Sequence, residues 1–183
     1  MADPDPAEVT SSTPVSIRRL GVEDAQRYRA FRLAALLAAP AAFTSSFEEE
    51  NVKPLAATVA RLTGDAVLGA HDRSGTLLGC AGLAVPARRQ ERHKATLFGM
   101  AVAPHVKGRG IGKALVLAVL DLAADLGVLQ VGLTVSEDNL PAQRLYHSCG
   151  FTVWGREPRA VIVAGQPIAK LHLVRVLQDP ECR

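Results

Sequence analysis

The segment Val106-Lys107-Gly108-Arg109-Gly110-Ile111-Gly112-Lys113 constrains this chain more than any other. It lies between a strand-like stretch, residues 95–102, stopped by Pro104, and a long apolar helical stretch that runs to Leu126 and is capped by Gly127. Three glycines in five positions let the backbone approach a ligand without side-chain obstruction. The first N–H groups of the helix would point at that ligand, and aligned peptide dipoles add about half a positive charge there. Lys107, Arg109 and Lys113 add full charges. The chemistry suits a phosphate, and a pyrophosphate is the natural guest. A tight strand–helix turn with glycines kept for packing accounts for the same residues without any ligand. Spacing argues against two nucleotide loops. A Walker A loop would need one more residue between Gly108 and Gly112 and a hydroxyl in place of Ala114. A dinucleotide fingerprint needs G-x-G-x-x-G and an acid about 20 residues on; the chain has G-x-G-x-G, and residues 130–135 contain no acid.

The rest of the chain reads as strands mixed with helices. Residues 15–20 alternate as a first strand, and residues 22–39 place Tyr28, Phe31, Ala35 and Leu36 at helical spacing before Pro40. Residues 41–50 link to a second helix over residues 53–62, with Gly64 beyond its end. Strands over residues 66–72 and 76–85 flank Arg73-Ser74-Gly75, a hairpin signal. After the glycine turn and its helix come a strand at 130–135, a short helix at 139–148 with Pro141 in its first turn, and closing strands at 151–154 and 170–177. Gly150 stands where a left-handed cap belongs. The pattern predicts a mixed α/β sheet.

Composition narrows the function. At 183 residues a single domain is expected. A net charge of +3 is too mild to announce a nucleic-acid binder, although residues 88–113 hold seven basic side chains against the single acid Glu91. That stretch is either a solvated basic loop or a surface that meets something anionic. No run reaches the ~20 apolar residues of a membrane span. Residues 1–14, rich in Pro, Asp, Ser and Thr, read as a disordered tail with neither the basic nor the apolar region of a secretory signal. Cys80, Cys149 and Cys182 are too widely spaced for a disulfide framework or a metal site, so a reducing, cytoplasmic setting is expected, with no metal.

Two motifs carry a resemblance. Lys107-Gly108-Arg109-Gly110-Ile111-Gly112 is similar to [QR]-x-x-G-x-[GA], the signature of the GNAT superfamily of acetyl-CoA-dependent N-acetyltransferases, with Lys in place of Gln or Arg at its first position. Asn139-Leu140-Pro141-Ala142-Gln143-Arg144-Leu145-Tyr146 followed by Gly150-Phe151 resembles that family's N-x-x-A-x-x-L-Y-x-x-x-G-F. The resemblance implies an α/β (α+β) fold: a mixed, mostly antiparallel central sheet of about seven strands with helices on both faces, formed by residues 15–178. It implies a bulge near Met100 and Ala101, and a gap between that strand and residues 130–135. There the pantetheine arm of acetyl-CoA would pair with the backbone of Met100, Ala101 and Val102, and a backbone N–H would polarise the thioester carbonyl. Lys107, Gly108, Arg109, Gly110, Ile111, Gly112 and Lys113 would hold its diphosphate.

Tyr146 becomes the expected general acid, since a phenol can donate to a departing thiolate; an aromatic anchor is the plainer role. Asn139 would cap its helix and reach the pantetheine amide. Cys149 reads as a small buried residue rather than a nucleophile, and His147 faces elsewhere on its helix. The base that deprotonates the acceptor is left among Glu48, Glu49, Glu50, Glu91, His93, Glu137 and Asp138, or an ordered water. The expected reaction is direct attack by a primary amine of a small molecule (or peptide) on acetyl-CoA. The glutamates of the loop from Phe43 to Glu50 would attract a cationic acceptor. A non-catalytic acyl-CoA sensor of the same fold and an unrelated nucleotide-binding module are the alternatives. No nucleic acid or membrane partner is expected, and a homodimer is left open.

Overall fold

The computed structural model describes residues 15–177, so the expected tail at 1–14 and the expected domain end at 178 lie outside the described residues. The chain begins with β1 (Ser16–Arg19), α1 (Ala25–Ala38), α2 (Phe47–Asn51) and α3 (Leu55–Gly64). The hairpin strands β2 (Ala66–His71) and β3 (Leu77–Ala84) follow, then β4 (Lys94–Val102) and α4 (Ile111–Asp125). The chain continues through β5 (Gln130–Ser136), α5 (Leu140–Ser148), β6 (Thr152–Val163) and β7 (Gln166–Val176). The strands form one seven-stranded sheet in the order β1-β2-β3-β4-β5-β7-β6. Every neighbouring pair is antiparallel except β4 and β5.

Each face of the sheet has its own apolar layer. On one face α4 buries Ile111, Leu115, Val116, Val119, Leu120 and Ala123, one stripe at helical spacing, against β2 to β5. On the other, Tyr28 of α1 and Leu62 of α3 pack on Val67 and Cys80. All six residues of β2 are buried, and the five before His71 read as a continuous apolar run rather than an alternation. A Cβ on Gly82 would lie 2.4 Å from Cζ of Phe98, so glycine there makes room for the ring of the neighbouring strand. At the start of the fold, Arg18 forks onto the carboxylate of Asp24 at 2.7 and 2.8 Å, and the Gly21 N–H adds a bond at 3.0 Å.

Three details differ from the sequence-based expectation. Residues 47–51 form a helix, capped by Ser46 and Glu49 in reciprocal bonds, inside the expected linker. Gly64 is the last residue of α3 rather than the residue after it. The closing strands are much longer than expected and meet in a tight turn at Ala164 and Gly165, both at positive φ. Arg156, Glu157, Pro158 and Arg159 hid the strand pattern. Pro158 is tolerated because the register with β7 shifts between Glu157 and Val161, where a ladder hydrogen bond is not required.

Candidate active site

The site is built where the only parallel pair among the described residues fails. β4 and β5 are paired at Lys94↔Gln130, Ala95↔Val131 and Thr96↔Gly132, and no further. β5 continues against β7 as far as Ser136↔Lys170, while β4 continues against β3 as far as Val102. The two strands therefore part beyond Thr96, and the inner backbone edge of β4 faces a gap. A bulge adds to the divergence. Cys80 pairs with Ala101 and Gly82 with Phe98, so Gly99 and Met100 together oppose Ala81. The bulge lies one residue earlier than expected, with Gly99 at φ +62°.

The glycine turn borders this gap. Gly108 and Gly110 have φ of +79° and +78°, the left-handed region that favours glycine, and Gly110 is the N-cap of α4. A Cβ at either position would meet nothing within 4 Å, so the turn presents bare backbone to open space. The first intrahelical bond runs from the Ala114 N–H to the Gly110 carbonyl at 3.0 Å. The N–H groups of Ile111, Gly112 and Lys113 precede it and have no intrahelical acceptor. Lys107, Arg109 and Lys113 are exposed around them. Gly112 has a further reason to lack a side chain. Its Cβ would lie 3.2 Å from both Met100 Cε on β4 and Leu145 Cδ2 on α5, so the turn, the bulged strand and the second motif converge on it.

The helix of the second motif closes the other side. Asn139 caps α5 by accepting the Ala142 N–H at 3.2 Å. Gln143 donates to the Glu137 carbonyl at 2.7 Å and ties the helix to the end of β5. Tyr146 is 6% exposed and meets Phe151 edge-on with ring centroids 5.9 Å apart. Burial, with a smaller contribution from neighbouring Cys149, pushes its phenol up to about 12. Cys149 is buried, and His147 Nδ1 lies 3.0 Å from the Phe151 carbonyl, so neither assembles a nucleophile.

The candidate bases separate into groups. Glu91 pairs with Lys94 at 3.1 Å, and the His93 carbonyl accepts the Leu129 N–H at 2.7 Å. Both lie at the closed start of the β4–β5 pair, remote from the gap. Glu49 is used in the cap of α2. Glu50 meets Lys53, Arg61 and Arg32 at 2.9, 3.6 and 3.7 Å. Its burial favours the protonated form, but the Lys53 hydrogen bond and the charges of Arg32 and Arg61 outweigh it and leave the carboxyl below its usual value. Glu137 forks onto Arg156 at 2.6 Å. Glu48 and Asp138 are exposed.

Two cations that the sequence did not single out stand at the open end of the gap. Arg32 of α1 stacks over the Phe43 ring at 5.9 Å and bonds the Ser45 hydroxyl at 3.3 Å. Its guanidinium lies 3.5 Å from where a Gly99 Cβ would be, beside the bulge. Lys170 of β7 is 4% exposed and bonds the Thr44 hydroxyl at 2.9 Å. Burial lowers its pKa, partly offset by Glu157. Arg32 falls between Tyr28 and Leu36 on the buried side of α1, whereas Lys170 owes its burial to the loop of residues 40–46, which reaches the end of β5 and the middle of β7. Among the described residues no group of three or more His, Cys, Asp or Glu side chains could hold a metal ion, and no helix is long and apolar enough to cross a membrane.

A mixed sheet whose parallel pair parts beside a glycine-capped helix is the arrangement that the resemblance to acetyl-CoA-dependent transferases implied. Residues 33–151 match the family model described as Acetyltransferase (GNAT) family, and the chain belongs to that family. A mycothiol acetyltransferase of Sanguibacter keddieii is 35% identical over 159 residues, covering 80% of this chain and 50% of that protein. The chain thus spans about half the length of this relative, and less of the others compared. Among solved structures, a GCN5-related N-acetyltransferase from Kribbella flavida has a TM-score of 0.74 at 25% identity, covering 89% of this chain and 98% of that one. A GNAT superfamily phosphinothricin acetyltransferase from Sinorhizobium meliloti, solved in complex with acetyl-CoA, has a TM-score of 0.76 at 20% identity, covering 89% and 88%. At that identity the second likeness concerns the fold.

Proposed function

We propose that this chain transfers an acetyl group from acetyl-CoA to a primary amine of a small molecule by direct attack, without an acyl-enzyme. The observation that carries the reading is the position of the left-handed glycine turn and the free N–H groups of α4 beside the gap between β4 and β5. The residues fit the cosubstrate. Backbone N–H groups at Ile111, Gly112 and Lys113, with the charges of Lys107, Arg109 and Lys113, suit a diphosphate. The open edge of β4 at Met100, Ala101 and Val102 suits the amide-bearing pantetheine arm by strand addition. Acetyl-CoA would supply an activated acetyl thioester.

The chain would contribute position and charge stabilisation. Holding an amine and a thioester at reacting distance converts a bimolecular step to an intramolecular one. A backbone N–H of the bulged strand would stabilise charge developing on the thioester oxygen. Tyr146 would donate a hydrogen bond to the departing sulfur. Asn139 is supported first as the cap of α5, with a pantetheine contact as an additional role. The mycothiol acetyltransferase name of the relatives makes mycothiol-related amines one acceptor class to include in a screen. A thiol-release assay with acetyl-CoA across a panel of amines tests the reading. Release of CoA with at least one amine, together with the matching acetylated product by mass spectrometry, is expected. Binding of acetyl-CoA with no release for any amine would instead favour the non-catalytic acyl-CoA sensor.

A further inference from the structure

Lys170 is a charged side chain taken out of water with no carboxylate in ion-pair contact. Among the described residues no carboxylate lies within ion-pair distance of its ammonium, whose one hydrogen bond is to the neutral Thr44 hydroxyl. Its register partner on β6 is Glu157, but that carboxylate is bonded to His172 Nε2 at 2.9 Å. A buried ammonium normally meets an anion, because desolvation of an isolated charge is costly. Its lowered pKa reflects the same imbalance.

The next residue of the loop repeats the arrangement. Ser45 receives Arg32, whose Nε is buried without a hydrogen bond and reaches Glu50 only at 3.7 Å. Glu50 is shared among three cations, so that cluster remains positive. Consecutive hydroxyls, Thr44 and Ser45, therefore each hold a largely buried cation, and Thr44 itself is exposed. Arg32 lies beside the bulge of β4, and Lys170 is level with Ser136 at the end of β5. Arg32 therefore stands on the β4 side of the gap and Lys170 on the β5–β7 side.

We propose that the acceptor carries a carboxylate received by Lys170 and Arg32 at the Thr44–Ser45 turn, so that the preferred substrates are amino acids rather than polycationic amines. This rests on the transferase reading above, and replaces attraction by the loop glutamates, of which only Glu48 is exposed and uncommitted. The charges also help the chemistry. Two nearby cations disfavour the ammonium form of the acceptor's amine and raise the fraction able to attack.

The test compares α-amino acids with the amines left by removing their carboxylate, and with their carboxamides, in the thiol-release assay and by thermal shift. The expected result is a kcat/KM at least about tenfold higher for the carboxylate member of a pair, carried mostly by KM. Lys170→Met removes the preference and lowers the shift in Tm produced by the amino acids. It also raises the Tm of the free protein, since a buried charge only partly offset by Glu157 is replaced by an apolar chain of similar length. Arg32→Gln provides a second variant with an intact Lys170 and should reduce the same preference. Equal or better use of the uncharged partner overturns the proposal, as does absence of both turnover and thermal shift for every carboxylate. A carboxylate-specific, Lys170-dependent thermal shift with no turnover leaves the anion site standing and overturns the transferase reading instead.

Discussion

Replacing Tyr146 with phenylalanine tests the proposed acid directly. The ring sits 6% exposed against Phe151, and phenylalanine keeps that edge-on contact, so the fold should be retained. The size of the effect follows from the phenol's environment. Burial holds it at about 12, whereas a free thiol has a pKa of ~8.5. Complete proton transfer to a thiolate would be uphill by about 3.5 pK units, or roughly 5 kcal/mol. A hydrogen bond donated to developing negative charge avoids that cost and contributes ~1.5–3 kcal/mol. The expected loss in kcat is therefore about 10- to 150-fold, smaller than a full general acid would give. KM for acetyl-CoA and Tm should stay close to the parent values. The shape of the pH profile below pH ~10 should also be preserved, because a phenol raised above its ordinary pKa stays protonated throughout that range. Steady-state thiol release, an acetyl-CoA titration and a thermal melt measure the three quantities. An unchanged kcat would refute the role. A loss shared equally between kcat and acetyl-CoA affinity would reduce Tyr146 to an aromatic anchor.

Other perturbations probe the cosubstrate grip and the scaffold. Gly110→Ala places a Cβ at φ +78° in open space and should cost roughly 1 kcal/mol of stability. Calorimetry should also show weaker acetyl-CoA binding, whereas Gly75→Ala, strained at φ +82° in the β2–β3 turn, should cost similar stability and leave binding unchanged. The hydrogen bonds from Arg18 hold the Asp24 carboxyl at about 2, below its ordinary 3.8. A carboxyl with a depressed folded-state pKa contributes its stability above pH ~4 and loses it as pH falls to ~2. Asp24→Asn should therefore cost roughly 2 kcal/mol at pH 7 in urea unfolding and remove most of the acid sensitivity in that window. A variant with parental stability at pH 7 would show that desolvation of Asp24 cancels its pairing.

What the sequence could reveal depended on how local each feature is. The glycine turn, the cap at Asn139 and the long apolar helix after the turn are set by residues a few positions apart, and all three stand where the sequence placed them. The failure of β4–β5 pairing involves strands separated by a whole helix, so only the family resemblance suggested it. The β6–β7 hairpin was understated because its middle is charged and contains Pro158. An edge pair half in solvent need not alternate cleanly between apolar and polar residues. Lys170 was the least legible residue. An ammonium is expected at a surface, and its burial arises from Thr44, 126 positions away in the chain.

One topological fact explains why the proposed groups fall together. In a strand–helix–strand crossover the helix starts where the first strand ends, so α4 must open at the Val102 end of β4. Parallel pairing puts the end of β5 at that same edge of the sheet, and α5 starts there for the same reason. The bare N–H groups, the open backbone of β4 and the helix of Tyr146 are consequently gathered along one gap. The antiparallel return of β7 brings its middle, with Lys170, opposite the last residue of β5. A cosubstrate gripped at α4 would thus point its reactive end along the gap toward the bulge, where Arg32 already stands. Had β4 and β5 remained paired through Ser136, the same side chains would surround a closed ladder, and no carbonyl could reach them. Strand separation is therefore the feature on which the proposed binding, acid and acceptor selection all rest. A substitution that restored pairing beyond Thr96 should abolish acetyl-CoA binding and turnover together, even with every proposed site side chain intact.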